Sequence, residues 1–169
     1  MTDINKMAPD FVIETDNGEF SLKSNLGKNI VIFFFPKADT PGWRKQACGL
    51  RDNFENYEKL NIEILGISYD SKATLKEFRE KYDIQFNFLS DSNKRTGRAY
   101  GVSWYFFTSR KTFLIDENGI LIQTIDSVDI TTHASDIITL FEKEKSQWWK
   151  LRYQLNIATY ETIFRKLLV

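Results

Sequence analysis

The 169-residue chain is 42% hydrophobic, and its 23 Lys and Arg balance 23 Asp and Glu to a formal net charge of zero. This is enough for one compact domain with a sizeable core, and it excludes a chain-wide basic footprint for nucleic acid or anionic membrane. One cysteine excludes an intrachain disulfide and a Cys-rich metal site.

The first twenty residues are polar and mixed, unlike a secretory signal or a spanning helix. No apolar run approaches membrane length, so a cytoplasmic protein without a membrane span is the expectation. Phe11 to Glu14 alternates like a strand, Asp16-Asn17-Gly18 is a hairpin signal, and Phe20 to Leu22 pairs back. Asn29 to Phe35 is an apolar run read as a fully buried central strand. Pro36 ends it, a Thr-Pro-Gly turn follows, and a helix starts near Trp43. Along that helix Trp43, Ala47, Leu50, Phe54 and Tyr57 form one stripe, so position 43 faces the core.

Ile62 to Ser68 is a second apolar strand, and Asp70 or Ser71 caps a helix carrying Leu75, Phe78 and Tyr82 inward. Phe86 to Leu89 is short and extended, and Arg95 to Tyr100 is a brief helix. Arg110 to Asp116 and Ile120 to Asp126 form a hairpin around Glu117-Asn118-Gly119. Thr131 or Thr132 caps a helix with Ala134, Ile137, Ile138 and Phe141 on its inner face. This order predicts an α/β fold with a mixed central sheet flanked by helices.

Residues 146–169 stand apart, as a helical extension to a domain of residues 1–145. Trp149, Tyr153, Ile157, Tyr160, Phe164 and Leu168 recur at helical spacing, an amphipathic pattern with a wide apolar face. It packs on its own domain or on a second copy, or else docks on a different protein or a membrane surface. Lys150, Arg152, Arg165 and Lys166 are too few and too mixed to favour the membrane.

The stretch Phe33 to Asp52, FFFPKADTPGWRKQACGLRD, carries the chemistry. A residue set at the start of a helix sits among unpaired N–H groups and partial positive charge, where an anionic nucleophile would be stabilised. The run Pro36-Lys37-Ala38-Asp39-Thr40-Pro41-Gly42 resembles a peroxiredoxin, most closely the bacterioferritin comigratory protein or peroxiredoxin Q subgroup. That signature is a proline, three residues, a threonine, two residues, then the peroxide-attacking cysteine. Pro36 and Thr40 match, and Cys48 matches the resolving cysteine that many members carry five positions later. Gly66-Ile67-Ser68, Leu89-Ser90-Asp91, Ala99-Tyr100-Gly101-Val102 and Arg110 to Asp116 extend the resemblance from about Ala8 to about Lys143. It implies a thioredoxin fold of peroxiredoxin type with an N-terminal β-hairpin. It also implies thiol-dependent reduction of hydrogen peroxide or organic hydroperoxides, with thioredoxin as the usual reductant and no cofactor or metal. Arg110 falls where the family places the arginine that holds cysteine and peroxide.

The departure is at the centre: Trp43 stands at the attacking-cysteine position. The family's reaction needs a thiolate to attack a peroxide oxygen and become a sulfenic acid. An indole has no sulfur to offer, and it is large enough to fill the pocket a peroxide would enter. Cys48 lies about 7–8 Å along the helix and ~140° round it from Trp43, beyond the first turn where the dipole acts. It reads either as a retained, half-buried cysteine or as a slow thiol open to glutathionylation or an intermolecular disulfide. The expectation is an impaired or inactive homologue with a binding or regulatory role. The alternative is a peroxidase that attacks with Cys48 and borrows an external thiol. Thr40 caps the helix or bonds within its turn. His133, with no carboxylate or cysteine at ligand spacing, is read as structural. Trp104-Tyr105-Phe106-Phe107 is an apolar loop, a lid or, by preference, a surface for self-association; together with the C-terminal helix it is the expected contact for a second copy or an active peroxiredoxin.

Overall fold

The computed structural model describes residues 2–15, 18–103 and 108–167, less the side chains of 14, 148, 151, 152 and 154–167. The N-terminal alternation forms an antiparallel hairpin, β1 (Val12–Thr15) with β2 (Gly18–Ser21), in which Ile13 faces Phe20. Asp16 and Asn17 of the expected turn lie outside the described residues. The apolar run becomes β3 (Asn29–Phe34), buried at every position after the first. Helices α1 (Pro41–Asp52) and α2 (Phe54–Lys59) follow, then β4 (Ile62–Ser68), α3 (Lys72–Lys81), β5 (Asn87–Ser90) and α4 (Arg95–Ala99). The hairpin β6 (Lys111–Ile115) and β7 (Leu121–Ile125) precedes the last helix, α5 (His133–Leu167).

Five strands form one mixed sheet in the order β5-β4-β3-β6-β7. β4 runs parallel to β3 and β5 parallel to β4, whereas β6 lies antiparallel to β3. A middle strand covered on both faces has to be apolar throughout, which is why β3 reads as an unbroken run. Its side chains alternate between two layers. Phe34 packs with Tyr100 and Phe113 in the cluster that also holds Phe11 and Phe20 of the hairpin. Phe33 and Phe35 turn to the other layer, against α1. That layer is crowded: a Cβ on Gly66 would lie 2.6 Å from the Phe88 ring and 2.7 Å from Phe33. Only glycine lets both rings cross β4 there.

The stripe expected on one helix is divided between two. Asn53 breaks the run with φ −104° and ψ 9°, and its side-chain amide donates to Gly49 O at 2.9 Å. Trp43, Ala47, Leu50 and Tyr57 are buried as expected, and Phe54 is half-exposed. Ser71 is the cap of α3, its hydroxyl accepting from Thr74 N–H at 3.2 Å. Before α5, Asp129 organises the turn. The Asp129 carboxylate accepts from the N–H and hydroxyl of Thr131, and its carbonyl takes His133 N–H at 2.9 Å.

By its internal contacts the chain divides into Met1–Ser135 and Asp136–Val169. The second unit is helical, the 35-residue α5 running unbroken to Leu167. Trp149 and Tyr153 on it are 72% and 69% exposed. No described helix is long and apolar enough to cross a membrane.

Candidate active site

The loop after β3 is tied down before α1 begins. Ala38 N–H donates to Asp70 Oδ2 at 2.7 Å, which fixes the turn against the end of β4. Asp39 adopts a left-handed backbone with φ 55°. Its carboxylate accepts from Tyr82 OH at 2.7 Å, Lys81 Nζ at 2.8 Å and Arg44 Nη2 at 3.4 Å. Lys81 foremost, then Tyr82, holds that carboxyl below the usual aspartate range.

Thr40 then takes the N-cap position with φ −80° and ψ 149°, and Pro41 follows at a position that needs no N–H. The Thr40 hydroxyl does not cap the helix. It turns back and donates to Lys37 O at 3.3 Å. Of the two roles open to it in the sequence, the bond within the turn is the one formed. Pro36 is half-buried at the exit of β3.

Trp43, in the first turn of α1, is wholly buried at 0% exposure. Its ring stacks on Phe35 with centroids 3.9 Å apart and planes 1° from parallel. Phe33, Phe78 and Phe88 surround it at 5.2, 5.9 and 5.8 Å. The indole N–H has no hydrogen-bond partner among the described residues. An orphaned buried donor of this kind costs about 1–3 kcal/mol, which the aromatic packing has to exceed.

Arg110, half-buried just before β6, reaches the same helix start. A Cβ on Gly42 would stand 3.1 Å from its Nη2, so the guanidinium lies directly against the first turn. Thr40, Trp43 and Arg110, some seventy positions apart in sequence at the extremes, are thus brought together. Cys48 is not beside them. It is half-buried farther along α1, within the electrostatic reach of the Arg51 guanidinium. Arg51 is itself engaged by Asp52 and by Tyr82 O.

A buried polar chain under α1 was not visible in the sequence. Gln46 Nε2 and His133 Nδ1 lie 3.1 Å apart, and His133 Nε2 and Thr112 Oγ1 lie 2.9 Å apart. All three residues are at most 2% exposed. They join α1, β6 and the start of α5, and the Tyr57 hydroxyl adds a tie between α2 and α5 by donating to Ala134 O at 3.0 Å. The only cue was a glutamine on an otherwise apolar helix face. Gln46 Oε1 has no partner among the described residues.

Among the described residues no group of three His, Cys, Asp or Glu is placed to hold a metal ion. A groove of about 350 Å³ lined by Phe54, Ile62, Ile64 and Phe86, among others, includes none of Pro36, Thr40, Trp43, Cys48 or Arg110. Trp104 to Phe107 lie outside the described residues. Ser103 and Thr108 on either side of them are bridged, and Thr108 Oγ1 donates to Phe35 O at 2.7 Å.

Comparison with known proteins places this geometry. The Coxiella burnetii protein named peroxiredoxin bcp is 36% identical over 145 residues, covering 80% of this chain and 96% of that one. The chloroplastic peroxiredoxin Q of Arabidopsis thaliana is 39% identical over 118 residues, covering 68% of this chain and 55% of its own length. The chain therefore spans about half the length of that plant relative. The crystal structure of peroxidoxin BcpB from Mycobacterium tuberculosis superposes with a TM-score of 0.78 at 25% identity, covering 85% of this chain and 98% of that one. With residues 4–124 matching as well, the chain belongs to the AhpC/TSA family and has the thioredoxin-like peroxiredoxin fold.

Proposed function

We propose that this chain is a peroxiredoxin whose peroxidase activity is lost or reduced to a trace, and that it serves as a binding or regulatory member of its family. The observation that carries this is Trp43, fully buried at the head of α1 with Arg110 against the same turn. In the family reaction a thiolate at that place attacks one peroxide oxygen. The O–O bond breaks, the second oxygen leaves as hydroxide or alkoxide, and the sulfur becomes a sulfenic acid. The helix start and a guanidinium would lower the thiol pKa and meet the developing negative charge. Those supports remain here without a sulfur between them. The indole stacked on Phe35 occupies the space a peroxide would need.

Its partner is then a second copy or an active relative, met through Trp104-Phe107, in the cytoplasm. The working division is a peroxiredoxin domain of residues 1–145 and a helical extension of residues 146–169.

A second reading has one observation in its favour: Cys48 is half-exposed and lies in the field of Arg51. Cys48 would be the attacking thiol, and an external thiol such as thioredoxin would reduce its sulfenic acid. Consumption of hydrogen peroxide and cumene hydroperoxide with thioredoxin or dithiothreitol separates the two. No turnover above a Cys48→Ser control is the expected result. Turnover typical of the family that vanishes in Cys48→Ser would overturn the reading and leave Cys48 as the nucleophile.

A further inference from the structure

We infer that the C-terminal half of α5 is an interfacial helix that lies on an anionic lipid surface. Because α5 is continuous to Leu167, positions along it can be placed at ~100° per residue. Trp149, Tyr153, Ile157, Tyr160, Phe164 and Leu167 then share an arc of about 80°, and no other position between 149 and 167 falls inside it. The two of these whose side chains are described, Trp149 and Tyr153, stand 72% and 69% exposed. Aromatic rings with a polar edge suit the boundary between acyl chains and headgroups.

The charges sort around this arc. Lys150 and Arg165 follow it on one side with Glu161 between them, and Arg152 and Lys166 lie on the other, at about 20–100° from its edges. Trp148, Leu151, Leu155 and Ile163 fall outside the arc, on the side of Arg152 and Lys166, so the aromatic stripe is one edge of a wider apolar face in which those two cations stand. Long basic side chains in that place lay their stems on the apolar phase and their charges among the headgroups. Glu161 is the one acid among residues 147–169, so the segment holds +3 and the remaining residues −3 of the chain's zero balance. The same numbers argue against two copies meeting stripe to stripe, since +3 would face +3. Anionic lipid is the occupant that the charge complements.

The test is co-sedimentation of the full chain with phosphatidylcholine vesicles, with and without phosphatidylglycerol. Three net charges predict about a hundredfold stronger partitioning to the anionic vesicles at low salt, most of it lost at high salt. The double variant Trp149→Glu/Tyr153→Glu, at exposed positions, should keep the circular dichroism and melting point of the parent and lose vesicle binding. Lys150→Glu/Arg152→Glu should abolish the preference for anionic lipid. Binding to neither vesicle, equal binding to both, or binding retained by the first double variant would overturn the assignment. So would a wild-type dimer in light scattering that the same variant converts to monomer, which would give the stripe to contact between copies.

Discussion

Replacing Trp43 with cysteine tests both the packing and the chemistry of the site. The indole is 0% exposed and lies among four aromatic rings. Truncating a buried tryptophan costs about 3–5 kcal/mol in lost burial and residual cavity. Loss of the parallel stack on Phe35 adds about 0.5–1.5 kcal/mol. Against this, removing an unpartnered indole N–H returns about 1–3 kcal/mol. The net expectation is a loss of about 3 kcal/mol, within the 5–15 kcal/mol that a domain typically has. Trp43→Cys should therefore stay folded, with a urea midpoint clearly lowered in circular dichroism. With Arg110 and Thr40 in place, it should also gain peroxide consumption in the presence of dithiothreitol. The companion Trp43→Phe keeps most of the apolar volume and removes the orphaned donor, so it should fall within about 1 kcal/mol of the parent. A Trp43→Cys protein as stable as the parent would refute the packing argument. A folded but inert Trp43→Cys would show that the surroundings of position 43 have drifted beyond one residue.

Three other outcomes follow from single features. Gly66→Ala places a methyl 2.6 Å from Phe88 and 2.7 Å from Phe33, and overpacking of that kind should cost about 1–3 kcal/mol or more by denaturant melting. Asp39, held low chiefly by Lys81 and then Tyr82, gives up its proton more readily in the folded state than in the unfolded one. Its contribution is present above the ordinary value of 3.8 and disappears as pH falls through the lower folded value. Asp39→Asn should thus melt below the parent at neutral pH, with the gap closing in acid, and a pH-independent gap would contradict the ion cluster. Gln46→Ala removes the amide that lies 3.1 Å from His133 Nδ1 in the buried chain and should cost about 1–3 kcal/mol, read from chemical denaturation. No loss there would mean that the buried chain under α1 is not a structural tie.

The sequence by itself determined the elements whose signal is local. An unbroken apolar run made β3 a covered middle strand, and proline followed by a Thr-Pro-Gly turn set the start of α1. Helical spacing put Trp43 among core residues, and Asp70-Ser71 marked the start of α3, leaving the structure to choose Ser71 as its cap. These follow from backbone preference and burial period, which neighbours in the chain suffice to express.

Only the tertiary structure decided who meets whom. Thr40 bonds within its turn instead of capping α1, since either bond is open to a threonine hydroxyl at that place and sequence does not choose between them. Asp39 with Lys81 and Tyr82, Gln46 with His133, and Arg110 with Gly42 join residues more than forty positions apart. A hydrogen bond depends on distance and angle in space, and spacing along the chain carries neither once a strand crossover intervenes. The sequence could say that a tryptophan heads the helix; the fold alone stacked it on Phe35 and pressed an arginine against the same turn.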